Sequence, residues 1–183
     1  MEKFFLDRSD IVLLIIDVQE KLARVMDERQ RVTENTLHLI ELAKLTDIPI
    51  LITEQYPKGL GQTVSAIRDA IEGVATLEKI TFSCCGDERF IQSLKDTGRR
   101  KVVVAGMETH VCVLQTALDL LKSGFSVHIV SDAVTSRKVD DKVTALQFLR
   151  DAGAVITCTE TVLFQVLERA GTEEFKAISK RIK

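Results

Sequence analysis

A chain of 183 residues with 45% hydrophobic and 28% charged side chains has the balance of a globular protein and is long enough to enclose a sizeable core. The formal net charge of −2, with no basic stripe, argues against nucleic acid as a partner. The opening "MEKFFLDRSD" lacks the apolar run of a secretory signal, and the aliphatic run "IVLLII" is too short to cross a bilayer, so a cytoplasmic protein with no membrane partner is expected.

Short aliphatic runs alternate with helical patterns. "IVLLIID" (11–17) reads as a buried strand, followed by a helix near 29–46 whose apolar face is Val32, Leu39, Leu42 and Ala43. "IPILITE" (48–54) and the weaker "ATLEK" (75–79) are the next strands, then a helix near 87–97 with Phe90, Ile91 and Leu94 inward. "KVVVAG" (101–106) leads through a sharp turn into a helix near 110–123 carrying Val113, Ala117, Leu120 and Leu121. "FSVHIVSD" (125–132) precedes a helix near 138–152 with Val139, Val143, Leu146 and Leu149 on one face. "AVITC" (154–158) is the last strand, and "ETVLFQVLERA" and "EEFKAISKRIK" offer two more helices, in which Phe164, Val166 and Leu167 suit core or a subunit contact. Gly124, Gly153 and Gly171 fall where helices end. The "SRKVDDK" run reads as a solvated helix start.

Strands alternating with helices predict β-α-β units: an α/β, three-layer α-β-α sandwich around a mainly parallel six-stranded sheet, Rossmann-like, in one domain over 1–183. Ligands of such sheets bind beyond the carboxyl ends of the strands. That rule brings Asp17, Glu54, Gln55, Lys79, the Gly106 turn and Asp132 towards one rim.

Three of these residues suit one chemistry. Cys112, in the first turn of its helix, meets free backbone N–H groups and the positive end of the dipole, which favour a thiolate; it equally suits core filling. Asp17, directly after six aliphatic residues, is either a general base or a cap for the segment starting at Val18. Lys79 is either a solvated surface group or, flanked by Leu77, Ile80 and Phe82, a partly buried cation needing an anionic partner. A cysteine attacking a carbonyl needs a base, and an ammonium offsets the repulsion between thiolate and carboxylate. The four cysteines, Cys84, Cys85, Cys112 and Cys158, show no CxxC or zinc spacing, and all are expected as thiols.

"IIDVQEKL", "EKITFS" and "GMETHVC", in this order, resemble the motifs of the isochorismatase-like cysteine hydrolase superfamily, with similarity from about Ile11 to about Leu167. The resemblance implies that family's fold and a catalytic triad of Asp17, Lys79 and Cys112. It also implies a cis peptide at Met107–Glu108 and an oxyanion hole formed by the N–H groups of Glu108 and Cys112. Nicotinamidases of this family carry a histidine-bearing metal site, whereas "ITEQYPKGLGQT" holds no histidine, so no bound metal and no cofactor are expected. Isochorismatases proper cleave a vinyl ether without a cysteine nucleophile, and Cys112 argues against that reaction. "TEQYPKGLG" resembles the isochorismatase domain-containing branch, whose substrates are unknown.

These features point to a hydrolase acting on a small-molecule amide C–N bond through a thioester, with Gln19, Tyr56, Phe82 and His110 as pocket walls. A homo-oligomer is expected because family members often assemble. The alternatives are a catalytically weak binding or assembly protein on the same fold, or a nicotinamidase-type amidase. A nucleotide-binding α/β domain shares the alternation, but no GxGxxG follows "IVLLIID".

Overall fold

The computed structural model describes residues 1–182. In chain order the elements are β1 (Ile11–Ile16), α1 (Glu20–Ala23), α2 (Arg29–Leu45), β2 (Ile50–Gln55), α3 (Pro57–Leu60), α4 (Ser65–Ala70), β3 (Thr76–Lys79), α5 (Glu88–Asp96), β4 (Lys101–Met107), α6 (Leu114–Lys122), β5 (Ser126–Thr135), α7 (Val139–Asp151), β6 (Val155–Thr157), α8 (Thr159–Leu167) and α9 (Glu173–Arg181). A π-helical turn, Thr109–Val113, runs directly into α6.

All strand pairs are parallel, in the order β3-β2-β1-β4-β5-β6. The fold is therefore α/β with helices on both sheet faces. Strand β1 shows why its sequence is aliphatic throughout. Ile11, Leu13 and Ile15 point to a core shared with Leu39 and Ile40 of α2 and Val162 and Leu163 of α8. Val12, Leu14 and Ile16 point the other way, to Phe90 and Leu94 of α5, Ala117 and Leu120 of α6 and Leu149 of α7. A central parallel strand is covered on both sides, so both faces of its period-2 pattern must be apolar. Val166 and Leu167 belong to the first of these cores, while Phe164 is partly exposed and lies 6.2 Å from Phe175.

Helix α7 departs from expectation. Lys142, Ala145 and Leu149 face inward, while Val139 and Val143 are 62% and 47% exposed. The cause is a tertiary partner: the Lys142 ammonium donates to Glu28 Oε2 at 2.6 Å, which rotates the helix away from its valines. Strand β5 also continues to Thr135, past a register shift against β4. Asp132 therefore lies inside the strand, where its Oδ1 accepts from the backbone N–H and hydroxyl of Thr159 at the start of α8. It holds a helix rather than lining the rim.

The chain builds outward from β1 to β2 and β3, then returns to build β4, β5 and β6 on the other side. The switch in direction lies between β1 and β4, the place where ligands of open parallel sheets commonly bind. Asp17 follows one of these strands, and Gly106 lies one residue before the end of the other, which continues to Met107. Gly106 pairs with Ile16 and holds a φ of +135°, and a Cβ there would collide with the Ile16 carbonyl. Gly106→Ala is expected to lower unfolding stability by about 3 kcal/mol or more in urea titration; wild-type stability would contradict this close packing.

Candidate active site

Three strand ends supply the charged cluster. Asp17 follows β1 directly, fully buried and with a φ of +52°. No helix starts at Val18: α1 begins at Glu20 with Gln19 as its N-cap, so Asp17 is not a cap. The β2–β3 register sets Gln55 opposite Lys79, one strand away from Asp17. Lys79 is 4% exposed, not a solvated surface lysine, and its ammonium donates to Asp17 Oδ2 at 2.7 Å. The same ammonium donates to Gln55 Oε1 at 2.8 Å and to the carbonyls of Phe82 and Thr81 at 3.1 and 3.3 Å. The other carboxylate oxygen of Asp17 accepts from the Thr53 hydroxyl at 2.7 Å. Burial opposes the Lys79 charge, but the Asp17 carboxylate, with Cys84 and Cys112, outweighs it and holds the ammonium above the usual lysine range.

Cys112 sits in the π-turn after Glu108, buried at 5% exposure and close enough to Asp17 for the carboxylate's charge to act on its thiol. Burial first, and then the Asp17 charge, push this thiol well above the ordinary cysteine range, while Lys79 opposes the shift. Burial and the Asp17 charge thus act against the thiolate that a helix N-terminus favours. A thiol beside a carboxylate suits proton transfer during attack rather than before it. Cys84 is fully buried on the same cluster, its thiol donating to Thr53 Oγ1 at 3.8 Å; burial and the Asp17 charge push it up to about 12. All four cysteines are free thiols.

The Met107–Glu108 peptide is cis. The backbone N–H groups of Glu108 and Cys112 lie in the turn where a helix begins, a region whose first donors lack intrahelical acceptors. The Glu108 side chain, 9% exposed, is held from the end of β5. Its Oε2 accepts from the Arg137 backbone N–H at 3.0 Å and from Arg137 Nε at 3.1 Å.

The expected pocket walls divide. Gln19 is fully buried and spends its amide on the fold: it donates to the carbonyls of Gln55 and Gly61 and accepts from the Gln55 backbone N–H at 2.8 Å. It fixes Gln55, which in turn holds Lys79. His110 Nδ1 pairs with Ser136 Oγ at 2.9 Å, and its Nε2 faces Asp141 at 3.8 Å, so its ring is directed to the start of α7. Phe82 is 54% exposed and reaches Lys79 through its carbonyl. Tyr56, 51% exposed, lines a cavity of about 650 Å³ with Lys58, Glu78, Ile80 and Arg89. That cavity runs along the outer edge of β3 and touches Lys79 but not Cys112. Glu54 turns away to accept from the Thr63 backbone N–H and hydroxyl at 2.6 and 2.8 Å. Among the described residues, no group of three His, Cys, Asp or Glu side chains is placed to hold a metal ion.

Three features of the site are not marked by the sequence pattern: Thr53, Arg137 and the tie from Gln55 to Lys79. Thr53 stands opposite Ile16 in the register, and a hydroxyl amid "ILITE" was the available signal. Arg137 had none, since its partner is remote in sequence.

A model of the isochorismatase domain matches residues 12–161. The chain belongs to the isochorismatase family. It is 42% identical over 176 residues to the secreted isochorismatase effector Isc1 of Phytophthora sojae, covering 94% of this chain and 84% of that protein. It is 40% identical over 170 residues to isochorismatase domain-containing protein 2 of Danio rerio, covering 92% and 85%. Among solved structures, the MAR1 ribonuclease of Caenorhabditis elegans superposes with a TM-score of 0.91 at 35% identity, covering 97% of this chain and 92% of that one. One similar protein is thus named as secreted. Among the described residues of this chain, no helix is long and apolar enough to cross a membrane.

Replacing Lys79 alone by Met strands the buried Asp17 carboxylate and is expected to destabilise the fold by about 3–5 kcal/mol. The double variant Asp17→Asn/Lys79→Met should recover much of that loss in urea unfolding. A double variant no more stable than Lys79→Met would contradict the pairing.

Proposed function

We propose that this chain is a cysteine-dependent hydrolase of small-molecule amides, with Asp17, Lys79 and Cys112 as its catalytic triad. One observation carries the reading: a buried carboxylate, Asp17, is paired with the buried Lys79 ammonium at 2.7 Å, and its charge acts on the buried Cys112 thiol. Asp17 takes the thiol proton as Cys112 Sγ attacks the substrate carbonyl carbon. The N–H groups of Glu108 and Cys112 receive the developing oxyanion. Asp17 returns the proton to the leaving amine as the C–N bond breaks, leaving a thioester on Cys112. Water, deprotonated by Asp17, attacks that thioester and frees the carboxylic acid and the thiol. Lys79 keeps the carboxylate charge balanced through both halves.

The binding or assembly reading, and a homo-oligomer built through exposed faces such as that of Phe164, rest on fewer observations. An RNA-cleaving reading is raised by the name of the nematode neighbour, and the formal net charge of −2 supports it poorly. A nicotinamidase-type metal site lacks its histidines in "ITEQYPKGLGQT".

Incubation with a pooled library of small amides, followed by intact-mass spectrometry, is expected to show an acyl adduct on the wild type that is missing from Cys112→Ala. Undiminished turnover by Cys112→Ala would refute the mechanism. RNA cleavage that survives this substitution would favour a different site.

A further inference from the structure

Glu108 poses an electrostatic problem. Its backbone N–H is a proposed oxyanion donor, yet its own carboxylate is buried in the same turn, 9% exposed. A negative side chain beside a forming oxyanion opposes the reaction unless another charge balances it. The balance comes from the segment after β5. The β4–β5 register sets Met107 against Thr135, so the next residues of each chain segment face one another. Arg137 then gives Glu108 Oε2 two donors, its backbone N–H at 3.0 Å and its Nε at 3.1 Å. Two residues further along the nucleophile turn, His110 is tied to Ser136 at 2.9 Å. The 135–137 segment is itself fixed, because the Thr135 hydroxyl donates to Glu28 Oε2 at 3.1 Å, the oxygen that Lys142 also binds.

From this arrangement we infer that Arg137 is a positioning residue for oxyanion stabilisation: it orients the Glu108 peptide through the Glu108 carboxylate and neutralises that carboxylate's charge. It acts through Glu108 and not on the substrate. The inference rests on the acyl-transfer function proposed for Cys112.

Two reactions of the same thiol separate this role from a merely structural one. With p-nitrophenyl acetate, the Cys112 S–C bond forms at the carbonyl, the thiol proton passes to Asp17, and an oxyanion develops. Its collapse then expels p-nitrophenolate and leaves an acetyl thioester. With iodoacetamide, the sulfur displaces iodide at a saturated carbon and no oxyanion forms. Loss of oxyanion support slows only the first reaction, whereas a distorted cysteine turn slows both.

Both rates are to be measured at Cys112 by peptide-resolved mass spectrometry for the wild type, Arg137→Gln, Glu108→Gln/Arg137→Gln and Cys112→Ala. Arg137→Gln should lose at least about tenfold in acetylation, less than the roughly hundredfold or greater loss on removing an oxyanion donor itself. Its alkylation should stay at the wild-type rate. The double variant, which removes both charges, should recover part of the acetylation rate, because the unbalanced charge is gone while the orienting tie is not restored. The inference is overturned if Arg137→Gln acetylates like the wild type, if both reactions slow together, or if the double variant recovers nothing. A wild type that does not acetylate at Cys112, or whose acetylation survives Cys112→Ala, instead overturns the acyl-transfer reading and this inference with it.

Discussion

A buried ion pair organises this protein's candidate site. Taking a carboxylate and an ammonium out of water is costly, and their attraction offsets that cost only when the remaining polar atoms are also satisfied. Here they are. The two Asp17 oxygens are taken by Lys79 and Thr53, and the Lys79 ammonium lies among four oxygens, two of them backbone carbonyls. Gln55 is one of those partners, and Gln19 holds Gln55 through its backbone. A residue that looks like a pocket wall is thus a support two steps removed from the charge.

The sheet makes this convergence possible. Asp17 and Lys79 are 62 residues apart, and Cys112 lies on a third connection, yet parallel strands deliver their carboxyl ends to one edge. The strand order reverses between β1 and β4, and Gly106 lets these two backbones approach closely, since a Cβ there would collide with the Ile16 carbonyl. Thr53, on the neighbouring strand, then connects the Asp17 carboxylate to the second buried thiol, Cys84.

The layered fold was legible because its signals are local. Six aliphatic runs and the helical periods between them mark strands and helices that differ from expectation mainly at their ends. What local patterns could not supply were partners remote in sequence. The valines of α7 form a plausible inward stripe until Glu28, more than a hundred residues away, draws Lys142 inward instead. Asp132 looks like a strand-end carboxylate until β5 continues past it and Thr159 claims it. The residues proposed as the triad were visible because each carries an anomaly: a charge after an aliphatic run, a lysine between apolar neighbours, a cysteine at a helix start. Arg137, inside an ordinary solvated-looking run, shows no such anomaly, and only the β4–β5 pairing reveals its partner.

The central claim is that Asp17 holds Cys112 as a thiol poised to give up its proton, with Lys79 balancing the charge. The most direct test is titration of thiolate ultraviolet absorbance, taken as the difference between the wild type and Cys112→Ala and repeated in an Asp17→Asn background. The Cys112 thiolate should form only well above the ordinary cysteine range, and Asp17→Asn should move its formation to lower pH because the opposing carboxylate is gone while Lys79 remains. A thiolate already present near neutral pH and unmoved by Asp17→Asn would contradict that claim.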